Sequence, residues 1–418
     1  MTTSSPALGP SPRVTAGRRA ARAPEPPGPS RRADPALADD GIAGPQAFLE
    51  HIGPDFFTSL RRADQRRAAV LYVSGLLSTP GRKSARNIAR TVGESAAAQR
   101  FHHFVNVSPW DWIPVRRAVV RAVGRFQPPS AWVIQQSVFP KTGRLSAGVD
   151  RIYDPDHGRT LVGQRVLGVW AASPGFGVPA DWHLLMPGAP DPAQPPHDAA
   201  VTSEQTGSDE LPAVVARLGD RAVRQSGPRR PLVIDLRLAD SAPLLARLRA
   251  LGLPFLLRVD AGLRLRVPAA GARPTSPEQL LGSDRGALRR LVSHSGGTQT
   301  VVLGTTHPVL LHDGQPAQDQ PPLRLLGLRR SVNAPPDAWL TNLTHLTLPE
   351  LHGLTELAGR TRQEFWSACT RVGLRDFTGR TADGWHRHLT LASAAYAVTA
   401  LAGIAAGPRL AADGQFPS

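Results

Sequence analysis

A chain of 418 residues with 41% hydrophobic content is long enough to bury two or three compact cores. Its formal net charge of +16, from 49 basic against 33 acidic residues, favours an anionic partner, nucleic acid before membrane. Lys83 and Lys141 are the only lysines, and an arginine-rich excess with abundant Ala, Pro and Gly is the composition expected of a GC-rich bacterial genome, which weakens the inference from charge alone. The single cysteine, Cys369, excludes an intrachain disulfide and a Cys-based zinc site and fits a reducing cytoplasm.

Residues 1–44 are rich in Pro, Ala, Ser and Arg without periodicity, the composition of a disordered tail. No apolar stretch follows its arginines, so a secretory signal is not expected. From Pro45 the pattern becomes helical. Apolar residues recur at three- and four-residue spacing over Ala63–Leu77, Lys83–Val92 and Ala96–Val105, which predicts a small helical domain over 45–125. Within it Arg82, Arg86 and Arg90 recur every four residues beside Lys83, a row suited to a phosphate track but equally to a solvated surface.

Three runs rich in β-branched and aromatic residues follow, Trp132–Phe139, Leu145–Tyr153 and Val162–Ala172, with short turns between them; they predict an antiparallel meander. After a Pro-rich linker (Pro187–His197) come a helix over Glu210–Gln225 and the apolar run Pro231–Ile234, which ends on Asp235. A helix over Ala242–Leu251 and a strand over Phe255–Val259 come next. Strand, helix, strand places Asp235 at the carboxyl rim of a mixed sheet, where ligands tend to bind. Residues 260–342 hold short strand candidates and read as a β-rich insertion. Helices over Pro349–Leu357, Arg362–Val372 and His388–Leu401 close the chain, inside a stretch (343–405) expected to complete the core begun at 130–259. The uncharged run Leu389–Gly407 is rich in Ala and Gly, and reads as a buried helix before a membrane span.

No nucleophile elbow, phosphate-binding loop or dinucleotide fingerprint is present. The histidines of His102-His103 and His386-Arg387-His388 lack a visible third ligand for a metal. Three strands, a later strand bearing Asp and a C-terminal helix make the layout of RNase H-like nucleases. There, carboxylates on the first strand, the fourth strand and that helix grip two hard cations, which stabilise the attacking and leaving oxygens of phosphoryl transfer.

The motifs follow the same order. Tyr72 with Gly75-Leu76-Leu77, Arg82-Lys83 and Ser108-Pro109-Trp110-Asp111 come first. Phe139-Pro140-Lys141 then leads through Ser146-Ala147-Gly148-Val149 to Arg151 and Tyr153, followed by Gln164 and Leu184-Leu185-Met186-Pro187. Asp235 with Asp240, Gly373-Leu374, Arg380 and Gly384-Trp385-His386-Arg387-His388-Leu389 complete the set. On these residues, from about Phe48 to Ala397, the chain resembles the DDE-type insertion-sequence transposases of the family numbered seven hundred and one. The resemblance implies an α/β fold: an RNase H-like mixed-sheet core with an N-terminal helical domain and a β-rich insertion. It implies DNA as partner and phosphates contacted by Arg82, Lys83, Arg86, Arg90 and Lys141. Assembly into homo-oligomers on paired DNA ends is expected of transposases of this kind; the cytoplasm and no membrane are expectations from the single cysteine and the weakly apolar closing run.

The departures fall on the chemistry. The first-strand aspartate of the resembled family is Gln135 here, and its helix glutamate is Arg362, with Glu364 two residues on and on another side of the helix. Asp235 matches the second aspartate, although the Tyr-Gly that trails it in the family is Leu238-Ala239. Gln135 offers an oxygen without charge, and Arg362 brings a cation that repels a divalent ion. Two readings follow: a transposase-family protein that binds DNA and has lost strand cleavage, or an active enzyme of Mg-dependent (or Mn-dependent) phosphodiester cleavage and strand transfer. The second would need a substitute ligand from Asp150, Asp154, Asp156 or Glu364.

Overall fold

In the computed structural model, the described residues are 44–93, 97–154, 158–187, 211–225, 229–268, 273–282, 288–295, 298–312, 320–331 and 335–406. Apart from Gly44, the tail predicted over 1–44 lies outside them, as does most of the Pro-rich linker.

Five helices come first: α1 (Gly44–Phe56), α2 (Ala63–Ser78), α3 (Ala85–Thr91), α4 (Ala97–Asn106) and α5 (Trp112–Phe126). Side chains start two of them. Ser84 accepts the N–H of Asn87 ahead of α3, and Asp111 accepts that of Ile113 ahead of α5, which satisfies donors that the first turn leaves unpaired. Strands β1 (Ala131–Pro140), β2 (Val149–Asp154), β3 (Arg159–Ser173) and β4 (Phe176–Leu184) come next. Then follow α6 (Leu211–Gln225), β5 (Leu232–Asp235), α7 (Ala242–Ala250) and β6 (Phe255–Arg258). Small elements continue the chain: β7 (Leu265–Arg266), α8 (Pro277–Leu281), β8 (Leu288–Ser295), β9 (Thr298–Thr305), β10 (Leu310–Leu311), β11 (Arg324–Arg329) and β12 (Asp337–Thr341). Two long helices end it, α9 (Leu348–Arg371) and α10 (Ala382–Ala406).

Ten strands form one mixed sheet in the order β2-β3-β1-β5-β6-β12-β11-β9-β8, with β4 also pairing β3. The three runs predicted as a meander are not one. β1 and β2 both pair with β3, on its opposite edges, and never with each other. β3 is 15 residues long, so its outer edge takes β2 along its first half and β4 along its second. β5 lies parallel to β1, and β6 parallel to β5. An antiparallel β1-β3-β4 set with parallel β5 and β6 on its other flank is a mixed α/β arrangement consistent with an RNase H-like fold. Beyond β6 the strands of 260–342 extend the same sheet, apart from β7 and β10, which form a two-stranded sheet of their own.

The sheet separates two cores. Trp132 and Ile134 of β1, with Leu232 and Ile234 of β5, face α6 and α7. Val133 and Val233, one residue along, join the larger core of α1–α5, α9 and α10, as the period-two alternation of strands requires. The stretch predicted as two helices over 349–372 is the single helix α9. Thr347 caps it through a reciprocal box with Glu350, and no residue inside breaks it. α10 is long and apolar enough to cross a membrane by composition, yet 67% of its apolar window is buried within the protein.

Candidate active site

The alternation that sorts the two cores also aims the polar residues. Gln135 and Asp235 share parity with Val133 and Val233, so both face α9. The parallel register sets them opposite each other on neighbouring strands. α9 lays Thr361 and Arg362 across them. Gln135, only 3% exposed, donates from Nε2 to the Thr361 carbonyl and accepts from Thr361 Oγ1, both at 3.2 Å. Its amide is thus tied at both ends to one residue of the helix.

Asp235 lies between two guanidinium groups. Arg362 Nη2 donates to Oδ2 at 2.7 Å and Arg258 Nη1 to Oδ1 at 3.2 Å. Arg258 also pairs with Asp337 on β12, whose other oxygen accepts from Arg330 at 2.7 Å. Gln135, Asp235 and Arg362, the positions singled out from the sequence, therefore meet in one place, and the charge on Asp235 is answered by the chain's own cations.

A Mg or Mn ion requires several oxygen ligands with charge to spare. Here one position offers an amide already hydrogen-bonded, one a carboxylate already paired twice, and one a guanidinium. Among the described residues no group of three or more His, Cys, Asp or Glu could hold a metal ion. The residues at this site do not fit a divalent cation.

The substitute ligands are scattered. Glu364 accepts a hydrogen bond from the Tyr396 hydroxyl, and its stem lies over Gly177 of β4, turned from Asp235 toward α10. Asp150 is exposed and accepts the N–H of Arg151. Asp154 is buried at the end of β2 and lines the same cleft as Gln135 and Arg362. Asp156 lies outside the described residues. Asp240, which follows Asp235 in the motif, accepts the N–H of Ala242 where α7 begins. The cleft is bordered by Arg159 and Arg375 as well, and Arg375 stacks over the half-exposed ring of Trp366 at 4.7 Å.

The basic residues picked from the sequence divide. Arg82, Arg86 and Arg90 are exposed, but α3 starts only at Ala85 behind its Ser84 cap. Arg86 and Arg90 therefore share a helical face while Arg82 precedes it. Lys83 departs from the phosphate-contact reading: it is 5% exposed, its Nζ bonds the Thr79 carbonyl and its N–H donates to Asp376. Gly373, with a positive φ of 63°, leaves the room in which the Lys83 stem packs. Lys141 is half-buried and donates to the Phe377 carbonyl at 2.9 Å. Burial first, and then Arg82, lowers its pKa to about 8, so it is a weaker cation than its sequence position suggests.

Sequence reasoning missed what the other motif residues do, which is to bind each other. His388 Nε2 donates to the Gly373 carbonyl at 3.0 Å, which leaves Nδ1 to accept the Tyr72 hydroxyl at 3.1 Å. Arg387 donates to the carbonyls of Trp110 and Val105 and to Asp383. The N-terminal and C-terminal marks of the resemblance are thus one hub joining α10 to α2, α4 and the turn after α9. Burial, above all, presses the His388 pKa down to about 4. His386, stacked on Trp112 with ring centroids 4.7 Å apart, is pressed to about 2 by burial and then by Arg116. Both are neutral at pH 7, and both nitrogens of His388 are engaged within the hub.

A second missed feature is an open groove between α5 and α6. Arg117 and Arg121 line one wall, Arg217, Arg221 and Arg224 the other, with Asp220 as the carboxylate among them. The signal was present: both helices carry arginine every three or four residues.

A family model described as the DDE superfamily endonuclease matches residues 55–315, more than half of the chain and a span that includes both Gln135 and Asp235. No curated protein matches. That match over so much of the chain, on a mixed sheet with Asp235 beside the first strand, establishes that the protein belongs to the DDE superfamily endonucleases.

Proposed function

We propose that this protein is a transposase-family DNA-binding protein, of the insertion-sequence group its motifs resemble, in which strand cleavage has been lost. The observation that carries this reading is the ion pair between Arg362 and Asp235. For a metal to bind Asp235, it must displace a guanidinium at 2.7 Å and then sit beside that displaced charge. Gln135 contributes no charge to offset either cost. In this reading residues 45–125 form a helical DNA-binding part, 130–259 with 343–405 the inherited nuclease core, and 260–342 a β-rich insertion. The protein would act on DNA in the cytoplasm and assemble as homo-oligomers on paired ends.

The second reading, an active Mg-dependent transposase, draws on Asp154, the carboxylate that lines the cleft with Gln135. One assay separates the two. Supercoiled plasmid is incubated with purified protein in Mn²⁺, beside Asp235→Asn and the double variant Gln135→Asp/Arg362→Glu, with DNA binding measured on the same preparations. The expected result is binding without nicking by the natural protein. Nicking by that protein which disappears in Asp235→Asn would establish a working metal site and remove the proposal.

A further inference from the structure

We infer that the guanidinium of Arg362 has taken over the metal's place as the anchor for a DNA phosphodiester, so that the cleft holds the backbone directly and without a divalent ion. This inference rests on the DNA-binding reading above and specifies how one site performs it.

The argument is one of charge and donor count. A cleft built from three carboxylates is anionic and repels a phosphate until cations are bound. This cleft has the opposite sign: among the described residues that line it, Arg159, Arg362 and Arg375 stand against one carboxylate, that of Asp154. Asp235 lies behind Arg362 and is neutralised from two sides. Arginine carries five N–H donors in a planar fork that matches the oxygens of a phosphate. Arg362 gives one terminal nitrogen to Asp235, and its side chain is still 45% exposed. Asp235 therefore fixes the guanidinium in orientation much as a carboxylate orients a metal, and the remaining donors face the cleft. The Arg375 guanidinium carbon lies over the ring of Trp366, one helical turn beyond Arg362, so aromatic surface borders the cations. A base stacked there would keep its phosphate within the arginine cluster, the pairing of ring and cation used for nucleic-acid strands.

The inference is the reverse of what a catalytic cleft requires. A metal-dependent nuclease loses its grip on the scissile phosphate when metal is chelated; this protein should not. It also assigns Asp235 a purpose without catalysis, as the positioning residue for Arg362.

The test is fluorescence anisotropy of a labelled duplex oligonucleotide bound to full-length protein, in EDTA and in millimolar Mg²⁺. The natural protein should bind equally in both. Arg362→Glu should bind about tenfold more weakly in EDTA, the loss of one charge-assisted contact, and should regain affinity when Mg²⁺ is added. Thermal melting checks that this variant folds. Arg159→Gln/Arg375→Gln leaves Asp235 and its partners untouched and serves as the second variant; its salt slope should fall by about two. Binding by the natural protein that collapses in EDTA overturns the inference. So does wild-type affinity and slope in both variants, which would leave DNA binding elsewhere on the surface intact. If the natural protein binds no DNA in either buffer, the functional reading falls and the inference with it.

Discussion

Two arginine–aspartate pairs in this protein make the same contact in different surroundings. Arg116 and Asp181 are buried where α5, β4 and α10 meet, with side chains 4% and 11% exposed. Every part of that guanidinium is engaged. Nε donates to Thr390, Nη1 to Asp181 at 2.6 Å and to the Trp182 carbonyl, and Nη2 to the His386 carbonyl. Asp181 accepts from the Trp182 N–H and from Arg221 as well. Arg362 and Asp235 pair at a similar distance, 2.7 Å, but at the floor of an open cleft, with most of the Arg362 donors unspent. The first pair is scaffold because nothing is left over; the second can meet a ligand because something is. The identity of the pair decides neither outcome. The accounting of donors and water does.

The largest expected effect tests that contrast directly. Asp181→Ala leaves the buried Arg116 charge with neutral partners only, Thr390 and the Trp182 and His386 carbonyls, and should cost about 3–5 kcal/mol of stability, the cost of breaking a buried pair from one side. Asp235→Ala should cost about 1–2 kcal/mol, because Arg258 retains Asp337 and Arg362 can turn to water. Urea denaturation of both variants reads the difference. Equal losses would mean that the cleft floor is as dry as the scaffold, and the contrast would be lost.

Acid should reach the scaffold by another route. His386 and His388 both have folded-state pKa values below the ordinary histidine value, about 2 and about 4, chiefly because they are buried. The unfolded chain therefore binds protons that the folded chain refuses. The stability they contribute is fully present above about pH 6.5 and is lost as pH falls toward the folded values. For His388 alone the loss between pH 6.5 and 4 should be on the order of 3 kcal/mol. His388→Gln should flatten that part of the stability profile, since glutamine can bond Tyr72 or Gly373 without titrating. An unchanged slope in the variant would show that the hub does not exclude the proton.

The contrast also explains what could be read from the sequence. Strand alternation and the apolar run before Asp235 were legible because burial on one or both faces of a sheet writes a pattern into neighbouring residues. That Gln135, Asp235 and Arg362 belong to one place was legible through the resemblance, which assigned all three to a single site; in the fold Arg362 pairs with Asp235 and Gln135 bonds Thr361 beside it. Partners far apart in the chain were not. That Asp235 is shared by Arg258 and Arg362, or that Lys83 turns inward to Thr79 and Asp376, depends on which elements the fold stacks together, and neither leaves a periodicity. β4 left no strand signal because Phe176–Leu184 carries Gly177, Pro179 and Asp181, residues disfavoured in strands; it is a strand because β3 extends far enough to pair it. β2 and β3 were seen, but their order was not, because alternation specifies faces and not neighbours.

The smallest expected effect separates two cationic surfaces that charge alone makes equivalent. Arg82, Arg86 and Arg90 stand exposed at and before α3. The α5/α6 groove has two walls of arginine, and within it Arg221 and Arg224 are paired with Asp181 and Asp220. Counterion release counts the phosphates neutralised and not the arginines present. If DNA enters the groove, Arg117→Gln/Arg121→Gln/Arg217→Gln should lower the salt slope of binding by about three, with Arg221 left in place to hold Asp181. If DNA runs over α3 instead, that loss should appear in Arg82→Gln/Arg86→Gln/Arg90→Gln. Losses in both would describe a path that joins the two surfaces, and a loss in neither would confine binding to the cleft. Because each triple removes the same formal charge, a shift in general electrostatic attraction changes both equally, and only contact can make them differ.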